Sequence, residues 1–451
     1  MKVIGCAKAM MANLDAELDR LLGRERAERV RWLLLLLAGG AADARPDETA
    51  RFLGPYYPGP EGFLRSVGFW SRRMGAFEVS EVGCDDEEVL EVSVRDEKGR
   101  PWTLRCWIGS APPYLLDFYS LARPPPRGVR RRLATEADAP ALASLERACP
   151  IELDDGSRVT MVRGHSVLDQ LRMAAGWARL WLVEDGETLV ACDANAVHPA
   201  RVGGRPVELV YRFHTRVAPS HRRLGLNESM TAWNAEDRFR AGIKADGFYV
   251  YIDPRNQVIR EWSSNVPWRV RPFRALLRCE AIAGPQTGRP ATPADAPRIA
   301  ALMNEGHRRE ELFLPRDAEG VAARLARVPE SYGFAQLWLT EDAVVGVWED
   351  GEERILERAG SREESRRATV LDWGFSSEDG VASLEALLRA WCARLAARGV
   401  THLSLFASDA SPAAPLLRSL AESIVEIEFQ CLLPEPSDSA ERGVFVDPVY
   451  Y

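Results

Sequence analysis

Lysine, histidine, paired cysteines and long apolar runs are scarce or missing in this sequence. Its 451 residues include six histidines and four lysines, so arginine provides nearly all of the positive charge, and the formal net charge is -8 at pH 7. Nucleic-acid binding needs a cationic surface that releases phosphate counterions, which an acidic chain does not favour. We therefore expect no nucleic-acid partner, and we interpret the preference for arginine over lysine as the mark of a GC-rich bacterial genome.

The eight cysteines are scattered and form neither a Cys-x-x-Cys pair nor the Cys/His spacing of a zinc site. This pattern predicts a reduced cytoplasmic protein without a metal centre. The most apolar run, residues 32–38, is too short to span a bilayer, and no signal-peptide pattern precedes it. We therefore expect a cytoplasmic location and no membrane partner.

Two stretches rich in proline and glycine, residues 123–128 and 283–288, interrupt the helix and strand patterns. After each stretch a similar phrase occurs, Arg-Leu-Ala-Thr-Glu-Ala-Asp-Ala-Pro at 132–140 and Arg-Pro-Ala-Thr-Pro-Ala-Asp-Ala-Pro at 289–297. A repeat at this domain-sized spacing indicates duplication rather than a solenoid. A chain of this length also holds about three domains at the usual ~150 residues each. We predict three domains, at residues 1–128, 129–284 and 285–451.

The N-terminal 128 residues have a different pattern, in which helices are followed by alternating strands. This order resembles the cystatin-like or nuclear-transport-factor-like α+β cone. The resemblance implies an accessory domain that packs, holds a ligand or drives oligomerisation, since no histidine precedes His165. We predict helices at 13–38, 47–53 and 60–74, and strands at 77–83, 88–96, 101–109 and 114–121.

The segment 207–241 is predicted to form a strand, a loop and a helix, and the loop has the features of a pyrophosphate site. A pyrophosphate at residues 217–227 would meet free backbone N–H groups and the positive end of the helix dipole. Gly225 permits close approach of the backbone, and Arg222 and Arg223 add positive charge.

This loop resembles the signature of the GNAT superfamily of N-acyltransferases, Val-x-Pro-x-x-Arg-x-x-Gly before an aliphatic residue, at Val217, Pro219, Arg222, Gly225 and Leu226. The phrase at 132–140 resembles the first strand and helix of these enzymes, and residues 247–256 resemble their fifth strand. The resemblance implies an α+β or α/β fold, with two GNAT-type mixed-sheet domains after the N-terminal cone. It also implies acetyl-CoA as co-substrate and no metal.

The resemblance implies which residues contact the cofactor. Asn227 stands where a glycine or alanine is usual, and we expect it to cap the following helix. Trp262 and Ser263 stand where many relatives place a tyrosine general acid, which leaves Tyr249, Tyr251 or the C-terminal tail as candidates. The implied cofactor contacts are Thr215, Arg216, Val217, Arg222, Arg223, Leu224, Gly225, Leu226, Asn227 and Asn256.

Candidates for the catalytic base lie on the strand before the loop, where neighbouring residues point to opposite faces. Tyr211 shares one face with Phe213, Thr215 and Val217, and GNAT enzymes commonly place a base at the position matched by Tyr211. We predict that Tyr211 lines the acceptor cleft and relays a proton through water, because a phenol with a pKa near 10 is a poor direct base. A β-bulge would reverse the parity and favour His214 or Glu208.

The second copy lacks the signature. Its loop reads Phe-Ser-Ser-Glu-Asp-Gly at 375–380, so Glu378 and Asp379 would repel a pyrophosphate. We predict a degenerate copy beside an active N-acyltransferase that acetylates, or transfers another short acyl group to, a small-molecule or peptide amine. The alternative is a catalytically weak CoA-binding sensor or scaffold.

Overall fold

The computed structural model describes residues 14–39, 41, 43–54, 56–57, 59–86, 89–153, 155–162, 167–174, 176–252, 254, 268–280, 287–328, 331–358, 361–431, 433 and 442–447. The contacts of the chain group into two compact units. The first unit comprises residues 1–130, 184–187 and 220–246, and the second comprises 131–183, 188–219 and 247–451.

Residues 14–22 are helical, and helices and strands are interspersed from residue 77 onwards. The α-helices are α1 (Arg24–Leu37), α2 (Pro46–Thr49), α3 (Pro60–Met74), α4 (Ala139–Ala148), α5 (Val167–Met173), α6 (Leu226–Arg240), α7 (Ala296–Gly306), α8 (Ala318–Leu325), α9 (Glu378–Ala396) and α10 (Ala414–Leu420). The strands are β1 (Phe77–Asp86), β2 (Val89–Asp96), β3 (Pro101–Ile108), β4 (Leu116–Ala122), β5 (Val129–Leu133), β6 (Ile151–Glu152), β7 (Arg158–Val162), β8 (Ala178–Asp185), β9 (Thr188–Val202), β10 (Arg205–Val217), β11 (Gly247–Ile252), β12 (Trp268–Val270), β13 (Phe273–Arg278), β14 (Arg289–Pro290), β15 (Glu310–Glu311), β16 (Leu337–Leu339), β17 (Ala343–Arg358), β18 (Ser361–Phe375), β19 (His402–Ala407), β20 (Ser423–Glu426), β21 (Glu428–Cys431) and β22 (Gly443–Val444).

The first unit is built on an antiparallel sheet in the order β1-β2-β3-β4. Helices α1 and α3 share its hydrophobic core, in which Trp102 and Phe63 are almost fully buried. The helices and strands predicted for this segment are confirmed to within a few residues. The cystatin-like assignment and a role in oligomerisation stay predictions.

Helix α6, which comes from much later in the chain, also belongs to the first unit. Phe239 stacks on Phe118 of β4, with ring centroids 4.9 Å apart. The buried carboxylate of Glu236 accepts hydrogen bonds from Arg105 at 3.0 Å and Ser120 at 2.6 Å. These contacts compensate the cost of burying a charge, since both carboxylate oxygens have a donor.

The second unit contains two sheets with the same strand order. One runs β12-β21-β11-β10-β9-β8-β5, and the other runs β20-β13-β19-β18-β17-β16-β14. Each has a parallel pair at the matching place, β10 with β11 and β18 with β19. A parallel pair needs a crossover, and in the second sheet α9 provides it.

The two sheets exchange strands across the boundary that we predicted at residue 284. Strand β13, which precedes that boundary, lies in the second sheet between β19 and β20, whereas β21 from the end of the chain lies between β11 and β12. The three-domain division stays a prediction, and these two strands are exceptions to it.

The repeated phrase forms the same local structure twice. Thr135 and Asp138 make a capping box at the first copy, and Thr292 and Asp295 make one at the second. In each copy the arginine that opens the phrase forms a bidentate ion pair with the aspartate, whose shorter N···O distance is 2.6 Å. These hydrogen bonds hold the pKa of both aspartates well below the usual value.

The described elements form a mixed α/β fold with several mixed sheets, as predicted. Within the described part of the chain, no helix combines the length and the apolar character needed to cross a membrane.

Candidate functional site

Strand β10 contains a β-bulge near its C-terminal end. Its antiparallel pairing with β9 is regular as far as Phe213↔Ala194 and resumes at Arg216↔Cys192. His214 and Thr215 therefore face a single residue of β9, and His214 has a left-handed φ of +52°. The strict alternation that we expected from Tyr211 to Val217 is wrong because of this bulge. Glu208 and Tyr211 both precede the bulge, so the alternation that places their side chains on opposite faces of the strand is unchanged.

Strands β10 and β11 part from each other just before the bulge. In residues 205–252, their parallel register runs from Leu209↔Gly247 to Tyr211↔Tyr249 and extends no further. Both strands nevertheless continue, β10 to Val217 and β11 to Ile252. The two strands therefore diverge after Tyr211 and Tyr249.

Tyr211, the predicted base, occupies the last position of β10 that pairs with β11. Its ring stacks on Phe213 at 5.2 Å and on Tyr249 at 4.9 Å between centroids. Only 3% of the residue is exposed. The structure thus places Tyr211 in an aromatic cluster at the point where the strands part, rather than on an open surface.

The two alternative bases lie apart along the strand. His214 is buried, and its Nδ1 lies 4.0 Å from a carboxylate oxygen of Glu146, which Arg216 approaches at 3.9 Å. Glu208 is exposed and pairs with Pro199 near the start of the strand. The bulge therefore places His214, but not Glu208, in a buried charged environment.

A buried aspartate beside the bulge was missed by sequence reasoning. Asp193 accepts hydrogen bonds from Arg212 at 2.8 Å, from the Thr215 hydroxyl at 2.5 Å and from Asn195 at 3.2 Å. These contacts tie both ends of the bulged segment to β9. The available signal was the presence of Asp193 and Asn195 within an otherwise apolar strand, Leu-Val-Ala-Cys-Asp-Ala-Asn-Ala-Val.

The predicted pyrophosphate loop has a defined backbone in the first unit. It includes a 3-10 turn at Pro219–His221, and Arg223 and Gly225 have left-handed φ values of +65° and +89°. Gly225 is the N-cap of α6 and Asn227 lies inside the helix, so our assignment of Asn227 as the cap is wrong. The left-handed cap explains why glycine is suited to this position.

Arg123 forms hydrogen bonds with this loop and with the first turn of α6. Its guanidinium donates to the carbonyl of Arg223 at 3.2 Å, and its own carbonyl accepts from the Ser229 hydroxyl at 2.7 Å. A Cβ at Gly225 would lie 2.7 Å from the Cβ of Arg123.

Three of the predicted cofactor contacts, Arg222, Arg223 and Leu224, are exposed in this loop. The N-terminus of α6 follows them directly, and a helix N-terminus next to exposed guanidinium groups favours an anion. Thr215, Arg216 and Val217 are half-buried on β10, Leu226 is buried and Asn227 is half-buried. Asn256, Trp262, Ser263, Tyr450 and Tyr451 lie outside the described residues.

The second copy has a different connection at the matching place. Residues 376 and 377 alone join β18 to α9, whereas residues 218–225 join β10 to α6. Helix α7 also packs directly on the end of β18, because a Cβ at Gly374 would lie 2.5 Å from the carbonyl oxygen of Leu302. The second copy therefore has neither a long loop nor space beside this strand end.

Among the described residues, no group of three His, Cys, Asp or Glu side chains lies close enough together to hold a metal ion.

No protein-family model matches the chain, and neither does any curated protein sequence. Among solved structures, it is similar to N-myristoyltransferase of Saccharomyces cerevisiae with bound myristoyl-CoA. The two share 10% identity with a TM-score of 0.52, over 73% of this chain and 84% of the other. The likeness is one of fold. A GCN5-related N-acetyltransferase from Sphaerobacter thermophilus also matches, with 18% identity, a TM-score of 0.44, and coverage of 69% and 98%.

The chain therefore shares its fold with the yeast N-myristoyltransferase, and the mixed-sheet α+β or α/β fold class predicted from the sequence is confirmed. The acyl group, the acceptor and the site residues of this chain are not given by that likeness.

Proposed function

We propose that this chain is an N-acyltransferase that transfers an acetyl or other short acyl group from acyl-CoA to an amine. The observation that carries the proposal is the bulged strand β10 parting from β11 after Tyr211↔Tyr249. Amide formation from a thioester passes through an oxyanion, which fixed backbone N–H donors stabilise strongly. In this proposal the oxyanion forms where the two strands part, beside the aromatic cluster of Tyr211 and Tyr249.

We propose that the loop before α6 binds the diphosphate of CoA. Arg222 and Arg223 provide positive charge, and the left-handed Gly225 keeps side-chain atoms away from the backbone. Isothermal titration calorimetry with acetyl-CoA tests this assignment. The change Gly225→Glu adds both bulk and negative charge, so we expect it to abolish binding. Unchanged affinity in this variant would show that the loop is not the site.

A short acyl group is favoured by the packing beside the parted strands. The rings of Tyr211, Phe213, Tyr249 and Tyr251 contact one another with centroid distances of 4.9–5.8 Å. Comparing thiol release from acetyl-CoA and from myristoyl-CoA at equal concentrations tests this choice. Faster release from myristoyl-CoA would assign a long-chain donor, as in the yeast protein's bound ligand.

We propose that only the first copy binds acyl-CoA. The two-residue connection before α9 and the close packing at Gly374 support this proposal. The stoichiometry in the same calorimetric titration should be one acyl-CoA per chain. A value of two would overturn the assignment of the second copy as degenerate.

The second candidate function is a CoA-binding sensor or scaffold. It is favoured by Trp262 and Ser263, which stand where many relatives place a tyrosine general acid. A pooled library of small-molecule and peptide amines separates the two functions, because an enzyme releases CoA thiol from acetyl-CoA in its presence. Binding of acetyl-CoA without thiol release would favour the sensor.

A further inference from the structure

A histidine and a tyrosine form a short hydrogen bond at the level where β10 and β11 part. Nε2 of His198, on β9, lies 2.5 Å from the hydroxyl of Tyr249, on β11. Both residues are buried, with 8% and 2% of their surfaces exposed. Tyr249 stands opposite Tyr211, the last residue of β10 that pairs with β11.

The surroundings fix the protonation of the histidine ring. Nδ1 of His198 lies 3.2 Å from the carbonyl oxygen of Pro199, and a carbonyl only accepts, so Nδ1 carries a hydrogen. In the neutral ring Nε2 is then the acceptor, and the Tyr249 hydroxyl donates to it. Burial lowers the pKa of His198 from its usual value, which favours this neutral form.

A half-buried carboxylate acts on the same ring. Asp447, from the C-terminal segment, raises the pKa of His198 and so opposes part of the effect of burial. Arg324 holds Asp447 through two hydrogen bonds of 2.8 and 3.0 Å. Asp447 would therefore favour the protonated form of His198 during the reaction, although burial has the larger effect on the pKa of the resting ring.

We propose that Tyr249 and His198 form the proton relay of the acyl transfer, with Tyr249 contacting the amine and His198 as the acceptor behind it. The proposal rests on the proposed function. As the amine nitrogen bonds to the thioester carbon, it gives a proton to the Tyr249 oxygen, which passes its own proton to Nε2 of His198. The C–S bond then breaks, and the proton returns through Tyr249 to the departing thiolate. The products are the amide and CoA thiol, and the relay ends in its starting state.

Tyr211 has a packing role in this scheme. Its ring stacks on Tyr249 at 4.9 Å and so holds the hydroxyl of Tyr249 toward His198. A buried relay excludes bulk water, so its proton exchanges with the substrate rather than with solvent.

Two variants of the full chain test the relay with little loss of packing. His198→Gln keeps an acceptor for Tyr249 but removes the basic nitrogen, and Tyr249→Phe keeps the ring but removes the hydroxyl. The matched control is Tyr119→Phe, which removes another buried hydroxyl with one side-chain partner, Ser66 at 2.9 Å. Thermal melting shows whether each variant is folded, and acetyl-CoA affinity is measured by calorimetry.

The kinetic probe is thiol release from acetyl-CoA in a pooled primary-amine mixture, from about pH 5 to pH 9. We expect both relay variants to lose at least tenfold in rate while keeping acetyl-CoA affinity, whereas Tyr119→Phe retains the parent rate. In the parent protein the rate of thiol release should fall at acidic pH, where His198 becomes protonated. This fall should be missing in His198→Gln. A folded His198→Gln protein that keeps the parent rate and the parent decrease in rate at acidic pH overturns the relay and leaves the proposed function intact.

A spectroscopic measurement separates failure of the relay from failure of the proposed function. Nitrogen-15 NMR of histidine-labelled protein should show His198, identified by its loss in His198→Gln, as the neutral Nδ1–H tautomer at neutral pH. The Nε2–H tautomer would overturn the relay, whatever the activity. The expected tautomer in a protein that does not bind acetyl-CoA, or binds it without thiol release, would overturn the relay as well and assign the pair a structural role.

Discussion

Gly225 offers a test that separates backbone strain from ligand binding, because the chain contains a matched control. Gly225, at the start of α6, has a φ of +89°, and Gly242, just after the end of α6, has a φ of +67°. An alanine in the left-handed region costs about 1–2 kcal/mol at either position. The two sites differ in their surroundings.

At Gly225 the added methyl group would lie 2.7 Å from Cβ of Arg123. Arg123 cannot easily retreat, because its carbonyl accepts a hydrogen bond from Ser229. Overpacking of this kind costs about 1–3 kcal/mol more, so we expect Gly225→Ala to destabilise the protein by about 2–5 kcal/mol in total. Among the described residues, no atom lies within 4 Å of a Cβ at Gly242, so Gly242→Ala should cost only about 1–2 kcal/mol.

Urea unfolding measures the stability of both variants, and calorimetry measures their acetyl-CoA affinity. Relief of the clash at Gly225 displaces the loop backbone, so we expect at least a tenfold loss of affinity, which corresponds to about 1.4 kcal/mol. Gly242→Ala should bind as the parent does. Equal stability and equal affinity in the two variants would refute both the role of Arg123 and the location of the diphosphate site.

Two further predictions concern ion pairs that differ in burial, because the Arg132 side chain is 41% exposed whereas the Arg324 side chain is 9% exposed. Asp138→Asn breaks the pair with Arg132 and should cost about 2 kcal/mol at pH 7 in urea unfolding. The folded-state pKa of Asp138 is lowered, so this stabilisation is present above the unfolded pKa of about 3.9 and is lost as pH falls through the folded value. The free energies of unfolding of the parent and the variant should therefore converge in acid. Arg324→Ala leaves Asp372 and Asp447 without the guanidinium that pairs with both, and should cost about 3–5 kcal/mol, with Arg324→Lys intermediate. A cost below about 1 kcal/mol for Arg324→Ala would show that these carboxylates are solvated.

Local features of the fold were predictable from the sequence where a short segment determines its own structure. The phrase beginning at Arg132 contains a complete capping box and its ion pair, so both copies fold alike without help from distant residues. The strand–loop–helix order around Gly225 was predictable for the same reason, since the glycine, the flanking apolar run and the helix lie within one segment.

Features that depend on distant partners were not predictable. The bulge at His214 and Thr215 depends on Asp193, which lies on the preceding strand and accepts a hydrogen bond across the sheet. Helix α6 looks like part of the acyltransferase segment in sequence, yet its buried Glu236 pairs with Arg105 of the N-terminal sheet. A periodic pattern shows which face of an element is buried, but not which element covers it.

The strand exchange explains why a copy without a cofactor loop would be retained. Strand β21, from the end of the chain, pairs with β11 at Tyr249↔Cys431 and Tyr251↔Phe429. Phe429 is fully buried against both tyrosines, so the strand that carries Tyr249 is completed by the second half of the chain. Deleting that half would leave the β11 edge unpaired and its aromatic core exposed, whereas losing the loop costs the second copy only a binding function. The first sheet therefore needs β21 whether or not the second copy binds acyl-CoA.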